Sequence, residues 1–133
     1  MKNLGLSNVA VLGWKPKAEV PKYLAAADVL ILPNIATTRE STEFTSPLKL
    51  FEYMASGVPI VASDLPSLRE ILCEKNAFLT APGDAQALAD TIRRVLTDTQ
   101  GAQARASRAL TEAGRHTWEA HATSVADFMQ SLA

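Results

Sequence analysis

Short apolar runs alternate along this chain with segments in which apolar residues recur at helical spacing. The runs have the length of buried strands, whereas a spacing of three and four residues predicts amphipathic helices. The predicted strands are Val9–Leu12, Val29–Leu32, Pro59–Ala62 and Ala77–Thr80. The predicted helices lie at about residues 19–27, 47–56, 66–73, 85–97, 101–114 and 117–131. Strands separated by helices indicate one α/β domain over residues 1–133, with a parallel sheet flanked by helices.

The predicted helix at residues 47–56 has clear start and stop signals. Ser46 suits the N-cap position, because its side-chain oxygen accepts a hydrogen bond from an early helix N–H. Pro47 suits the first helical position, where its missing N–H breaks no hydrogen bond. Gly57 is expected to end the helix, and Pro59 prevents the helix from resuming.

The unusual residue of this helix is Lys49, which lies in the first turn, where the helix dipole disfavours a cation. A positive side chain beside free N–H groups makes an anion site. Glu52 follows one turn later, and a carboxylate there accepts hydrogen bonds from sugar hydroxyls. This pair suggests a nucleoside diphosphate site. The same residues also fit a capped core helix that carries an i,i+3 Lys–Glu pair on its surface, and both interpretations stay open on the residues alone.

The motif Ser46-Pro-Leu-Lys-Leu-Phe-Glu-Tyr53 resembles the donor-binding helix of the group 1 glycosyltransferases, a family that has the GT-B fold and uses nucleotide sugars. Other segments resemble the same family in the same order, namely Asn8–Trp14, Glu19–Pro33, Ser63–Glu70, Asn76–Asp84 and Trp118–His121. The resemblance implies a Rossmann-like fold that forms part of the C-terminal, donor-binding domain of such an enzyme. The parent enzyme is then expected to transfer a hexose to an acceptor hydroxyl, with retention.

The resemblance also assigns roles to residues of this chain. It places Ser46, Leu48 and Lys49 at the donor phosphates, Glu52 at the ribose, and Trp14 and Lys15 beside the base. An equally good alternative for Trp14 is that it caps the hydrophobic core and does not contact the base. No general base is identified, and neither a metal nor a resident cofactor is expected, since the nucleotide sugar is the substrate.

Two departures from the family pattern limit what the resemblance implies. Many members carry two Glu residues with seven residues between them, and the earlier position is Phe44 here, with Glu43 one residue out of register. A contact from Glu43 to the transferred sugar is therefore not implied. The N-terminal acceptor domain and the basic phosphate clamp of the family are also absent. We therefore expect an inactive fragment whose partner is the missing acceptor domain, and whose exposed sheet edge favours self-association.

Composition excludes several other classes. Lys plus Arg is 13 and Asp plus Glu is 14, so the net charge of −1 gives no electrostatic case for a nucleic-acid partner. The single cysteine, Cys73, excludes an internal disulfide and agrees with a reducing compartment. No apolar run is long enough to span a membrane and residues 1–5 do not resemble a signal peptide, so a cytoplasmic location is expected.

His116 and His121 are five residues apart, which does not place them on one helical face, and they are interpreted as surface or packing residues.

The competing hypothesis for the function of this chain is a non-catalytic α/β module that binds a protein partner. Stabilisation of the fold by a nucleoside diphosphate distinguishes the two functions.

Overall fold

The computed structural model describes residues 6–35 and 48–132. The helices are α1 Val20–Ala25, α2 Leu48–Ser56, α3 Pro66–Arg69, α4 Ala85–Thr97, α5 Thr99–Ala113 and α6 Trp118–Ser131. The strands are β1 Leu30–Leu32, β2 Ile60–Ser63 and β3 Phe78–Thr80. These strands form a parallel sheet in the order β1-β2-β3. The predicted α/β class, with a parallel sheet flanked by helices, is confirmed.

The central strand β2 is buried along its whole length, because helices cover both faces of the sheet. On one face Ile60 and Ala62 pack with Leu50 and Met54 of α2. On the other face lies a second cluster of buried residues, formed by Val61, Phe78, Val95 and Ala102. A parallel strand that is buried on both sides has a continuous apolar sequence rather than an alternating one.

Helix α2 is anchored to the sheet by Leu50 and Met54, both fully buried. The helix ends at Ser56, whose hydroxyl donates to the Tyr53 carbonyl at 2.6 Å and accepts from the Val58 N–H at 3.2 Å. Gly57 follows with a φ of 71°, a left-handed conformation that favours glycine. The predicted end of the helix is therefore confirmed, whereas its predicted cap, Ser46, and Pro47 lie outside the described residues.

The predicted strand at Val9–Leu12 is wrong. This segment belongs to no helix or strand, and Val11 is 73% exposed. A strand needs a hydrogen-bonding neighbour, and the sheet of the described residues offers none beside Val9–Leu12. The apolar composition of the segment predicted a strand, but composition does not supply a partner.

Three helix boundaries also differ from the prediction. Helix α1 is shorter than the predicted 19–27, and α3 ends at Arg69 rather than near residue 73. Helix α5 begins at Thr99 rather than at residue 101, because the Asp98 carboxylate accepts a hydrogen bond from the Gly101 N–H at 2.9 Å and caps the helix. The predicted cap at Asp84 is confirmed by its bond from the Ala87 N–H at 2.9 Å.

Within the described ranges, no helix is long and apolar enough to cross a membrane.

Candidate functional site

The first turn of α2 is exposed and lies beyond the carboxyl end of β1. Leu48 is 74% exposed, Lys49 is exposed as well, and the turn contains no acidic residue. Because α2 runs back antiparallel to the strands, it starts at the edge where ligands bind in open α/β sheets. The dipole of α2 and the charge of Lys49 therefore both present positive potential at this edge.

The surface pair between Lys49 and Glu52 is not formed. The ion pairs of the described residues join Arg69 to Asp64 and Glu74, Arg93 to Asp90, and Arg108 to Glu112. Glu52 is exposed, and burial together with the Glu52 charge raises the pKa of the neighbouring Tyr53 phenol. Both charged groups of the α2 motif thus face solvent without an ion-pair partner in the described part of the chain.

Glu52 lines a cavity of about 710 Å³ between α2 and the start of α6, which we call the α2–α6 groove. Its lining comprises Lys17, Leu48, Phe51 and Glu52 on one side, and Arg115, His116, Thr117, Trp118, Ala120, His121 and Ser124 on the other. Its volume falls within the range of roughly 300–1,000 Å³ that is usual for small-molecule sites. The groove is therefore large enough for a nucleotide.

Two contacts build the α6 wall of the groove. The His116 ring lies 5.2 Å from the Phe51 ring, which packs the segment before α6 against α2. Thr117 then caps α6 by accepting a hydrogen bond from the Ala120 N–H at 3.2 Å. In the first turn of α6, Trp118 lies edge-on to His121, with ring centroids 6.3 Å apart.

Sequence analysis missed this wall. The five-residue spacing separates His116 and His121 only if both belong to one helix, but His116 precedes the N-cap Thr117 and is not helical. The i,i+3 spacing of Trp118 and His121 was the signal that could have identified the aromatic pair.

The two residues predicted beside the base, Trp14 and Lys15, do not line the α2–α6 groove, and their role beside a base stays a prediction. Trp14 is 86% exposed, and it neither lines the α2–α6 groove nor caps the core. Lys15 is half-buried, with its Nζ 5.7 Å from the centre of the Tyr23 ring. The structure thus brings Leu48 and Glu52 to one groove, but it does not bring Trp14 and Lys15 to its lining. Ser46, Glu43 and Phe44 lie outside the described residues.

A second cavity, of about 550 Å³, lies beside β3. Its arginines already have partners. Arg69 binds Asp64 and Glu74. The bond from Arg69 lowers the pKa of the Asp64 carboxyl, whereas the Glu74 carboxyl has its pKa lowered first by the hydrogen bond from its own backbone N–H and then by Arg69. Arg105 lies 4.3 Å and Arg94 5.3 Å from the Phe78 ring centre. The lining also contains three carboxylates, Asp64, Glu74 and Asp98, which balance the charge of its three arginines, so this cavity is a weaker anion site than the start of α2.

In residues 6–35 and 48–132, no group of three or more His, Cys, Asp or Glu side chains is placed to hold a metal ion.

Comparison with known proteins identifies the family. The family "Glycosyl transferases group 1" matches residues 1–98. An amylovoran biosynthesis glycosyltransferase of Erwinia amylovora is 37% identical over 89 residues, which are 65% of this chain and 21% of the relative. The D-inositol 3-phosphate glycosyltransferase of Corynebacterium urealyticum is 31% identical over 98% of this chain and 30% of the relative. The chain therefore spans about a fifth to a third of the length of these relatives.

A solved structure has the same fold. The Anabaena protein Alr3699/HepE, in its complex with UDP-glucose, matches 97% of this chain and 34% of its own with a TM-score of 0.79 and 30% identity. The described residues correspond to part of the C-terminal portion of a GT-B glycosyltransferase. The chain belongs to the group 1 glycosyltransferases.

Proposed function

We propose that this chain binds the nucleotide-sugar donor of a hexosyltransferase that acts on an acceptor hydroxyl with retention. The observation that carries the proposal is the exposed first turn of α2, where Lys49 has no ion-pair partner among the described residues and Glu52 lines a groove of about 710 Å³. The UDP-glucose complex of the Anabaena protein, which shares this fold, supports a nucleotide-sugar donor.

In this proposal the start of α2 holds the donor diphosphate. The N–H groups of Leu48 and Lys49 have no partner within their own helix, and the Lys49 ammonium adds a full positive charge. Negative charge grows on the diphosphate as the glycosidic bond breaks. Fixed donors at this position therefore stabilise the transition state more than the ground state, which accelerates transfer.

Glu52 is proposed to bind the ribose. Its carboxylate lies one turn beyond Lys49 on the exposed side of α2 and in the lining of the groove. A ribose presents two vicinal hydroxyl donors, and an ionised carboxylate has two oxygens to accept them. Glu52 lies three residues beyond Lys49, a rise of about 4.5 Å along the helix, which suits a ligand whose phosphates and ribose are adjacent.

The acceptor site is proposed to lie on another part of the enzyme, because the matched relatives are three to five times as long as the aligned segment. No general base is assigned among the residues of this chain, and no resident cofactor is invoked. We therefore expect that the isolated chain transfers no glucose from UDP-glucose to water or to simple sugars. Release of UDP above a boiled control would contradict this expectation.

The test is nucleotide-dependent thermal stabilisation with UDP, GDP and ADP, which also identifies the preferred base. A ligand present at 100 times its Kd stabilises the fold by about 2.7 kcal/mol. Glu52→Ala removes a charged hydrogen-bond partner, at a cost of about 1.5–3 kcal/mol, so affinity should fall roughly 10- to 150-fold.

Glu70→Ala is the matched control, because Glu70 is an exposed carboxylate that lines neither cavity. The Glu70→Ala variant should bind nucleotide with the same affinity as the wild type. If none of the three nucleotides stabilises the wild-type chain, the proposal fails, and the non-catalytic interaction module becomes the better interpretation. If nucleotide binds but Glu52→Ala behaves like Glu70→Ala, the ribose role of Glu52 is wrong.

A further inference from the structure

The cavity beside β3 lies along an edge of the sheet. In the order β1-β2-β3, no strand of the described residues pairs with the outer side of β3, and Ala77, Phe78 and Leu79 line the cavity. The Asp64 N–H donates to the Thr80 carbonyl at 2.8 Å, so Thr80 turns its backbone groups toward β2. Because neighbouring residues of a strand turn these groups to opposite sides, the N–H and C=O of Leu79 point away from β2, on the side of the cavity.

The cavity has two walls, one on each face of the sheet. On one face, Leu79 packs against the cluster that includes Leu68 of α3. On the other face, Phe78 packs with Val95 of α4 and Ala102 of α5. We call the cavity the β3 groove and its walls the α3 wall and the α4–α5 wall. The α3 wall consists of Asp64, Arg69 and Glu74, and the α4–α5 wall consists of Arg94, Asp98 and Arg105.

The two walls carry opposite net charges. The α3 wall has one arginine and two carboxylates, a net charge of −1, and Arg69 binds both carboxylates. The α4–α5 wall has two arginines and one carboxylate, a net charge of +1, and neither arginine forms an ion pair in the described part of the chain. A ligand that presents a positive group to the α3 wall and a negative group to the α4–α5 wall therefore fits the groove.

The unpaired charge of the α4–α5 wall is held in a fixed position. Arg105 donates hydrogen bonds to the carbonyls of Glu74 and Gly101 at 2.9 Å and 3.0 Å. Its guanidinium lies 4.3 Å from the centre of the Phe78 ring, and that of Arg94 lies 5.3 Å from the same ring. Two cations thus lie beside the residue that precedes Leu79 in the edge strand, so a carboxylate in the groove would meet both of them.

An added β-strand carries the matching charges when basic and acidic residues alternate along it, because successive side chains of a strand point to opposite faces of the sheet. We propose that the β3 groove binds an extended segment of a partner protein in which basic and acidic residues alternate. The segment continues the sheet beyond β3 by pairing with the N–H and C=O of Leu79. Its basic side chains face the α3 wall, and its acidic side chains face the α4–α5 wall.

A second copy of this chain is a poorer occupant. When two copies pair β3 with β3 in antiparallel fashion about a two-fold axis perpendicular to the sheet, the same face of each copy lies on the same side. The two α4–α5 walls, each with a charge of +1, then meet, and so do the two α3 walls, each with a charge of −1. Like charges that face each other across an interface oppose association, so the groove favours a different polypeptide.

The test uses two peptides of identical composition. In one, Lys and Glu alternate singly, and in the other they follow the order Lys-Lys-Glu-Glu. As a strand, the first peptide presents Lys on one face and Glu on the other, whereas the second presents both residues on each face. Thermophoresis of the labelled chain at low salt, with peptide added up to about 1 mM, covers the range of weak association. The alternating peptide should bind about 2- to 30-fold more tightly, which corresponds to two exposed charge pairs of 0.2–1 kcal/mol each.

Two charge reversals on α4 locate the binding site. Arg94→Glu should weaken the binding of the alternating peptide by about 2- to 30-fold, because it replaces one such attraction with a repulsion of similar size. Arg93→Glu is the matched control, since Arg93 is an exposed arginine of the same helix that lines neither cavity. This control should bind the peptide as the wild type does. Circular dichroism checks that both variants are folded.

Hydrogen exchange distinguishes strand addition from contacts between side chains alone. The Leu79 amide should gain protection when the alternating peptide binds, because its N–H then donates to the added strand. The inference is overturned if neither peptide binds, if both bind equally, if Arg93→Glu weakens binding as much as Arg94→Glu, or if the Leu79 amide gains no protection. The charges would then serve to keep other strands away from β3. None of these results bears on nucleotide binding, because the β3 groove and the α2–α6 groove share no lining residue.

Discussion

Lys49→Glu separates a functional role of Lys49 from a structural one, because the two roles predict opposite effects. Lys49 lies in the exposed first turn of α2, where a cation opposes the helix dipole and an anion is favoured. If Lys49 serves binding, the ligand-free helix tolerates it at a cost. Replacing it with Glu should then stabilise the free protein and abolish nucleotide binding.

The expected magnitude follows from two opposing contributions. The interaction of one exposed charge with the helix dipole is worth about 0.3–1 kcal/mol. Lys49→Glu removes an unfavourable interaction of this size and adds a favourable one, which together favour Glu by roughly 0.6–2 kcal/mol. A glutamate at position 49 would also lie i,i+3 from Glu52. That like-charge repulsion costs about 0.2–0.5 kcal/mol, and no attraction is lost, because Lys49 and Glu52 form no ion pair. The net stabilisation is roughly 0.1–1.8 kcal/mol, which raises the Tm by up to about 7 °C for a chain of this length.

The assay is differential scanning calorimetry with and without nucleotide. Lys49→Glu should raise the Tm of the free protein and lose the nucleotide-induced shift, because a carboxylate then faces the diphosphate. Lys49→Gln is the control for charge reversal, and it should show a smaller rise and a weakened rather than abolished shift. A lower Tm for nucleotide-free Lys49→Glu than for the wild type would show that Lys49 is structural, and the anion site at α2 would be refuted.

Two further predictions concern the fold and its surface. The hydrogen bond from the Asn76 side chain, and then that from Arg108, lower the pKa of the Glu112 carboxyl in the folded state. The ionised Glu112 carboxylate therefore stabilises the fold at a pH above its ordinary pKa of about 4.5. This stabilisation is lost as the pH falls through the lower pKa that Glu112 has in the folded state. The urea midpoint of unfolding should decrease less from pH 7 to pH 3 in Glu112→Gln than in the wild type. An equal decrease in both proteins would contradict this role of Glu112. We expect the 133-residue chain to self-associate at about tens of micromolar, an order-of-magnitude concentration for exposed apolar surfaces. The surfaces concerned are the edge of β1 that no other strand of the described residues pairs with, the exposed segment Val9–Leu12 and the apolar side chains of α6. A monomer by light scattering at that concentration would show that these surfaces do not associate.

Local signals predicted most of the elements. Helical spacing placed α2, α4 and α6 within one or two residues of their observed bounds, because each has its own cap or stop, such as Gly57 and Asp84. The parallel sheet followed from the alternation of apolar runs with helices. Val9–Leu12 has the same apolar composition as the true strands, and only the absence of a neighbouring strand in the described residues distinguishes it.

The candidate site was only partly predictable. Lys49 and Glu52 were found from the sequence because they lie three residues apart on one helix, and the helix dipole explains why Lys49 is unusual. Trp118 and His121 were missed because their place opposite Glu52 depends on how the segment before α6 packs on Phe51. The paired arginines around Phe78 were missed for the same reason, since α4, α5 and β3 meet only in the folded chain. Contacts of this kind depend on tertiary packing, which a sequence pattern does not encode locally.

The most direct test of the central claim is a titration of the isotopically labelled chain with the preferred nucleoside diphosphate, followed residue by residue through backbone amide resonances. If the diphosphate binds at the start of α2, the amides of Leu48 and Lys49 should shift most, because they donate to the phosphates, and Lys49→Glu should remove these shifts. If the shifts occur instead around Arg94 and Arg105, the ligand binds the cavity beside β3. That result, or the absence of any shift at Leu48 and Lys49, would contradict the account.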